Sequence, residues 1–302
     1  MAEQSLALER KFSVNGLNIS AQQWGIGNPR KVIALHGWLD NSASFSGLAP
    51  YLKSCELLCL DLAGHGYSDH RSEHGSYNIW DDILDILAVA DQLGWQQFDL
   101  LAHSRGSFVA VLLAASMTER VRKLFMLDGA LGFDNEPIEA PNNLRNYLLD
   151  QRKLFMQNSK IYASHADAIA KRREKISISK TECYPLVERG LKKVSDGYKW
   201  RHAPRLFGCS AFKLPLTYQM HFLKSLRAPA ILLAAEDGFA RWADMHQLIQ
   251  QHSNIQIKHH AGSHHMHMQA EHIVSIAKII SHFFCIESVS YTHLKLPTNR
   301  EV

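Results

Sequence analysis

The chain has 302 residues, of which 46% are hydrophobic and 21% are charged, and its formal net charge at pH 7 is +4. This composition is ordinary for a globular protein, and it excludes an intrinsically disordered chain. The best apolar stretch, Phe108–Met117, is about half the roughly 18 residues that a membrane-spanning helix needs. The first residues lack the apolar segment of a secretory signal. We therefore expect a cytoplasmic protein with no membrane span.

The cysteines and the charge pattern exclude further classes. The five cysteines are scattered and include no Cys-x-x-Cys pair, so neither a zinc ribbon nor a disulfide framework is expected. Free thiols are typical of a reducing compartment. Basic residues concentrate between about residues 152 and 205, as on a solvated helical surface. Since no recognition motif accompanies them, we expect no nucleic-acid partner. The oligomeric state stays open.

Apolar strands and amphipathic helices alternate along most of the chain. Two early strands joined by an Asn15-Gly16 turn are predicted over Lys11–Val14 and Leu17–Trp24. Six further strands are predicted over Lys31–Leu35, Cys55–Leu60, Phe98–Ala102, Val121–Leu127, Ala230–Ala234 and Ile255–His259. Helices are predicted over Ile79–Leu93, Gly106–Met117, Arg241–Gln251 and Glu271–Phe284.

This alternation predicts an α/β fold, a mostly parallel sheet with helices on both faces. Residues 132–226 break the alternation with charged helical segments, and we expect them to form a helical lid over the carboxyl ends of the strands. The core would then comprise residues 1–131 and 227–286. Residues 287–302 follow neither period, and the run from Val289 resembles a translated sequencing adaptor. We expect an unstructured tail that is not natural protein.

The strongest chemical signal follows the strand Phe98–Ala102. There the chain reads Ala102-His103-Ser104-Arg105-Gly106, a small-x-Ser-x-Gly pattern between a buried strand and a buried helix. This pattern predicts a nucleophile elbow, a sharp turn that presents the hydroxyl of Ser104 above the sheet. The alternative role for Ser104 is to cap the following helix.

Attack of a serine on an acyl carbon creates an oxyanion, which needs fixed N–H donors. Two backbone amides are predicted to supply them. The first is the N–H of Arg105, directly after the nucleophile, and the second is the N–H of Trp38, which follows Gly37 in the loop after a strand. The Trp38 side chain is expected either to contact the substrate or to pack as pocket wall.

The general base is expected in the late run Gly262-Ser263-His264-His265-Met266-His267. A loop at the carboxyl end of the last strand can reach the hydroxyl, and we choose His264, with His265 and His267 as alternatives. Although the run is rich in histidine, it contains no His-Glu-x-x-His pair and no evident set of carboxylate ligands. We therefore predict no metal site here.

A carboxylate should orient the imidazole of the base. The chain order Ser…Asp…His favours Asp237, which follows the strand Ala230–Ala234. Glu236 and Asp128, the latter at the end of the strand Val121–Leu127, are the alternatives.

Aromatic residues of the predicted lid are candidates for the substrate pocket. We expect Trp200 and Tyr218 to bind substrate together with Trp38. Tyr184, Phe207 and Phe212 are further candidates. The alternative is that these aromatic residues pack the lid onto the core.

Five motifs in order, HGWLD, DLAGHGYSD, AHSRG, LLAAED and GSHHMH, make the chain similar to the α/β-hydrolase superfamily over about residues 10–284. Within it, HGWLDN, DGYKWRHAPRL and GSHHMHM resemble the serine hydrolase-like proteins. The resemblance implies a Ser-His-Asp enzyme without cofactor that cleaves an ester-like bond of a small molecule through an acyl-enzyme. Ala102 and Ala234 depart from the usual glycines. Ser104 argues against dehalogenases and epoxide hydrolases, which use an aspartate nucleophile.

Two alternatives to an esterase remain at this point. The same triad on the same fold supports other chemistry, such as that of a perhydrolase, a C–C hydrolase or a lyase. A non-catalytic ligand-binding protein would keep the fold without turnover.

Overall fold

The computed structural model describes residues 7–73, 75–132, 137–155, 160–238 and 242–285. The predicted tail, residues 287–302, lies outside these ranges. Within them, no helix combines the length and the apolarity that crossing a bilayer requires.

The elements follow the predicted alternation. The strands are β1 (Leu8–Val14), β2 (Leu17–Trp24), β3 (Arg30–Leu35), β4 (Cys55–Leu60), β5 (Phe98–His103), β6 (Val121–Leu127), β7 (Ile161–Tyr162), β8 (Leu191–Val194), β9 (Gly197–Trp200), β10 (Ala230–Asp237) and β11 (Gln256–Ser263). The helices are α1 (Asp81–Gln92), α2 (Arg105–Ser116), α3 (Ala140–Phe155), α4 (His165–Arg173), α5 (Lys180–Gly190), α6 (Leu216–Ser225), α7 (Trp242–His252) and α8 (Ala270–Cys285).

Eight strands form one sheet in the order β1-β2-β4-β3-β5-β6-β10-β11. The pairs β1/β2 and β2/β4 are antiparallel, and the other pairs are parallel, which confirms the predicted fold class. His103 at the end of β5 pairs with Leu127 at the end of β6, and Leu127 pairs in turn with Leu233 of β10. The loops that follow β5 and β6 therefore begin side by side at the same edge of the sheet.

Both faces of the sheet are covered, which explains why the central strands are apolar without alternation. Every residue of β4 and β5 is buried. On one face, Leu124 packs in the apolar cluster that includes Val109 of α2 and Ile86 of α1. On the other face, Phe125 packs with Phe284 of α8. The sheet is thus packed on both faces, and the loops of the site extend from its carboxyl edge.

Between β6 and β10 the chain forms the insertion, residues 132–226, which contains α3 to α6 and a three-stranded antiparallel sheet in the order β7-β9-β8. The sequence predicted helices here and no sheet. The missed hairpin joins β8 to β9 through the two residues Ser195 and Asp196, and Gly197, which begins β9, has a positive φ of 139°.

Candidate active site

Ser104 lies in a sharp turn between β5 and α2. Its backbone has φ 53° and ψ −120°, a left-handed conformation that is strained for a residue with a side chain. The Ser104 amide donates to the carbonyl of Leu127 at 3.0 Å, which fixes the turn against β6. A Cβ at Gly106 would lie 2.3 Å from the carbonyl oxygen of Leu35, so only glycine fits there. The turn is the predicted nucleophile elbow in geometry.

Three side chains form a hydrogen-bonded line at this edge of the sheet. The Nε2 atom of His264 lies 2.9 Å from the Oγ atom of Ser104. Its Nδ1 atom lies 2.6 Å from the Oδ2 atom of Asp128. Because a carboxylate oxygen only accepts, Nδ1 carries the hydrogen and donates to Asp128. The lone pair of Nε2 then faces the serine hydroxyl, as removal of its proton requires.

The choice of Asp237 as the orienting carboxylate is wrong in this structure, because Asp128, the weighed alternative, contacts His264. Asp128 directly follows β6, the strand beside β5, and its Oδ1 atom also accepts from the Ala235 amide at 3.0 Å. Asp237 ends the strand β10, one position further from β5, and its side chain is exposed, as is that of Glu236. The carboxylate comes from the strand next to the nucleophile.

Burial is the largest influence on the pKa of the His264 imidazole and lowers it below 6.5. The hydrogen bond that the ring donates to Asp128 raises the pKa, and nearby His103 lowers it. Burial prevails, so the ring is neutral near pH 7. A neutral ring is the form that can accept a proton from Ser104.

A cluster of polar side chains that the sequence did not predict lies next to His264. The Nε2 atom of His103 donates to the carbonyl of His264 at 2.9 Å. Asp40 faces His103, His265 and the guanidinium of Arg172 from α4. Burial alone would raise the pKa of Asp40, but these neighbours outweigh burial and hold it well below its usual range. The sequence feature that could have indicated this cluster is Asp40, the last residue of the HGWLD motif.

The two alternative bases do not contact Ser104 in the described structure. The Nε2 atom of His265 lies 3.3 Å from the Oδ2 atom of Asp40. His267 is fully buried, with its ring centroid 5.5 Å from that of Phe45 and 4.3 Å from that of His103. Among the predicted histidines, the geometry brings His264 to the hydroxyl.

A cavity of about 710 Å³ opens onto the Ser104 hydroxyl. Core loops and the insertion both line it, with Trp38, Phe108, Ile176, Phe207, Phe212 and Leu214 among its apolar residues. The predicted substrate contact of Trp38 is therefore possible geometrically, and its indole nitrogen donates to the carbonyl of Leu206 at 2.9 Å.

The substrate contacts of Trp200 and Tyr218 stay predictions, and the cavity at Ser104 does not add support to them. Neither residue is among the described residues that line the cavity, and neither is Tyr184. The Trp200 ring stacks on His202, with centroids 5.7 Å apart, and contacts Tyr162 edge to face. Tyr218 is 60% exposed. Side-chain direction, which one sequence does not give, decides these positions.

The two amides predicted to hold an oxyanion belong to residues that line the same cavity as Ser104. Arg105 begins α2, where the first amides have no partner inside the helix. Trp38 follows Gly37, where a Cβ would lie 2.9 Å from the Nδ1 atom of His103. Glycine thus lets the Trp38 loop lie close to the elbow.

A hydroxyl, an imidazole and a carboxylate in line at the carboxyl edge of a parallel sheet are typical of the α/β-hydrolase class. The family described as the α/β-hydrolase fold matches residues 31–271, and the chain belongs to this family.

Relatives and solved structures agree with this assignment. A serine hydrolase-like protein of Danio rerio is 26% identical over 306 residues, which cover 95% of this chain and 91% of that protein. A serine hydrolase-like protein of Dictyostelium discoideum is 28% identical over 282 residues, 84% of this chain and 75% of that protein. The crystal structure of a hypothetical protein from Pseudomonas aeruginosa PAO1 is 36% identical, with a TM-score of 0.89, and covers 92% of this chain and 99% of that one. Family and names together support a hydrolase.

Proposed function

We propose that the chain is a serine hydrolase that cleaves an ester-like bond of a small molecule through an acyl-enzyme. Ser104 is the nucleophile, His264 the general base and Asp128 the carboxylate that orients it. The observation that carries the proposal is the continuous line from Asp128 through His264 to Ser104, at 2.6 and 2.9 Å. The strained backbone of Ser104 supports it.

The geometry suits acyl transfer in two steps. His264 Nε2 takes the proton of Ser104 as Oγ forms a bond to the acyl carbon, and Asp128 stabilises the resulting imidazolium. The amides of Arg105 and Trp38 donate to the oxyanion. As the tetrahedral intermediate collapses, His264 gives the proton to the leaving oxygen. Water activated by the same imidazole then cleaves the acyl-enzyme and frees Ser104.

The cavity supports a substrate with an apolar part. Its volume of about 710 Å³ lies within the range of small-molecule sites, roughly 300 to 1,000 Å³. Trp38 and Phe207, whose rings meet edge to face at 5.6 Å, form one wall. A panel of esters with increasing acyl length measures how much of this space the acyl group fills.

The nucleophile is tested with a fluorophosphonate probe and the ester panel. We expect the wild type to label once, and Ser104→Ala to lose both the label and about 10⁶-fold in kcat. Ser210→Ala is the matched control, because Ser210 lines the same cavity without joining the hydrogen-bonded line. A wild type that neither labels nor hydrolyses any ester would contradict the proposal.

The orienting carboxylate is tested by two matched substitutions. Asp128→Asn should lower kcat by about 10³- to 10⁴-fold, since it removes the charge that stabilises the imidazolium. Asp237→Asn, the equivalent change on an exposed side chain, should leave kcat within about twofold. Steady-state kinetics on the best ester of the panel measures both. The reverse order of effects would show that Asp237 is the orienting residue.

A further inference from the structure

Next to His264, three buried side chains bring one nitrogen or oxygen atom each close together. The Oδ2 atom of Asp40 lies 3.6 Å from the Nδ1 atom of His103 and 3.3 Å from the Nε2 atom of His265. These residues are 2%, 0% and 5% exposed. Within the described part of the chain, neither Asp40 Oδ2 nor His103 Nδ1 makes a hydrogen bond. Buried polar atoms in this condition require an explanation, because leaving them unsatisfied is costly.

The second ring nitrogen of His103 shows which of its two nitrogens faces Asp40. Its Nε2 atom donates to the carbonyl of His264, since a carbonyl oxygen only accepts. The other ring nitrogen, Nδ1, then faces the carboxylate of Asp40 across 3.6 Å. A positively charged group between these two atoms would satisfy both of them.

We propose that Asp40, His103 and His265 bind a divalent transition-metal ion, for which Zn²⁺ is the best match. Two imidazole nitrogens and one carboxylate oxygen form a donor set that Zn²⁺ accepts. With bonds of about 2.0 to 2.2 Å, tetrahedral ligands lie about 3.4 Å apart. The two separations from Asp40 match this spacing. All three donor atoms lie within 4.8 Å of one another, so binding draws the two imidazoles together.

The surroundings of the three ligands fit the same assignment. The carbonyl of His264 orients the His103 ring from behind, as outer partners commonly orient metal-binding histidines. Arg172 binds Oδ1 of Asp40 and leaves Oδ2 for the ion. All three ligands line the cavity, so a fourth position can face it. Three protein ligands with one open position are typical of catalytic zinc sites rather than structural ones.

Metal binding is measured directly on the full, untagged chain after treatment with a chelator. Equilibrium dialysis against Zn²⁺, followed by elemental analysis, should give about one ion per chain. His265→Gln and Asp40→Asn each remove one ligand and should weaken binding by about 100-fold or more. Zn²⁺ should also raise the Tm of the wild type and leave the Tm of these variants unchanged.

Two further proteins serve as controls. His260→Ala changes a half-buried histidine whose ring lies 5.2 Å from that of the half-buried His272, a pair outside the site that could take up zinc adventitiously. It should keep the full stoichiometry. Ser104→Ala keeps all three ligands and should bind Zn²⁺ as the wild type does, so the metal proposal and the hydrolase proposal can fail separately.

The competing occupant is a proton on His103 Nδ1, which would donate to Asp40. The proposal is overturned if the wild type binds well under one ion per chain, or if His265→Gln binds as tightly as the wild type. It is equally overturned if only His260→Ala reduces the stoichiometry. Circular dichroism of each metal-free variant shows whether it is folded; if Asp40→Asn unfolds, His265→Gln alone decides.

Discussion

The core and the insertion are stabilised by different kinds of contact. In the core, two large apolar clusters pack against the two faces of the sheet. The insertion has a smaller apolar cluster that also takes in Met268, and its helix α6 joins the core cluster through Met220 and Leu223. The rest of its attachment includes charged hydrogen bonds. Burial of apolar surface is non-directional, whereas charged hydrogen bonds depend on single atoms. Where the attachment is polar, it therefore depends on few side chains.

Two arginines of the insertion show this dependence. Arg189 binds both carboxylate oxygens of the buried Asp61 and also reaches Glu9. Arg205 donates to the backbone carbonyls of four core residues, namely Arg71, Ser72, Glu73 and Gly75. Each guanidinium thus ties the insertion to the core.

The largest effect on stability is expected from the core. Phe125 is fully buried in β6, and its ring packs against Phe283 and Phe284 of α8. Phe125→Ala should lower the free energy of unfolding by about 3 to 5 kcal/mol, because it leaves a cavity in a close-packed interior. Leu148→Ala, at a position of α3 that is 54% exposed, should change it by less than about 0.5 kcal/mol. Urea titration measures both, and equal effects would refute the contrast.

The same contrast explains what the sequence could predict. The strands β4 and β6 contain buried apolar runs and were predicted to the residue. The bounds of β2, which has a mixed sequence, were also predicted to the residue, with the Asn15-Gly16 turn before it as the signal. In the insertion, short strands with mixed burial gave no such signal, and the sheet of β7, β9 and β8 was missed.

The candidate site divides in a similar way. Ser104 and His264 were predicted because each lies in a motif at a strand end. Asp128 follows β6 and Asp237 ends β10 at the same edge of the sheet. Both also lie after Ser104 and before His264 in the chain, so sequence order does not separate them. Which carboxylate reaches the imidazole depends on strand order in the sheet, and β6 rather than β10 lies next to β5.

An intermediate effect is expected where the insertion meets the core through a buried charge. Asp61 is fully buried, and Arg189→Leu removes its cation and leaves, among the described residues, the amides of Ser42 and Tyr67 as donors to its carboxylate. The free energy of unfolding should fall by about 3 kcal/mol. Glu9→Gln, on a side chain that is 52% exposed, should cost under about 1 kcal/mol. The two variants are compared by urea titration at pH 8. A loss for Arg189→Leu no larger than that for Glu9→Gln would show that this ion pair does not stabilise the insertion.

The smallest effect on stability is expected from His202 of the insertion, and it depends on pH. Burial lowers the pKa of His202 from 6.5 to about 4, with Arg172 adding to the decrease. In the unfolded chain His202 becomes protonated below about pH 6.5, whereas in the folded chain it becomes protonated only near pH 4. The free energy of unfolding therefore falls as the pH falls from 6.5 to about 4. For this group alone the loss amounts to about 2 kcal/mol at pH 5.

His202→Phe keeps a ring that can stack on Trp200 and cannot titrate. The variant and the wild type should unfold at similar urea concentrations at pH 8, and the variant should be more stable by about 2 kcal/mol at pH 5. Other buried histidines with lowered pKa values, such as His36 and His65, are present in both proteins and cancel in the difference. If the free energies of unfolding of the two proteins fall in parallel as the pH is lowered, the insertion near Trp200 exposes His202 to solvent before the rest of the chain unfolds. The polar attachment would then be weaker than the buried contacts indicate.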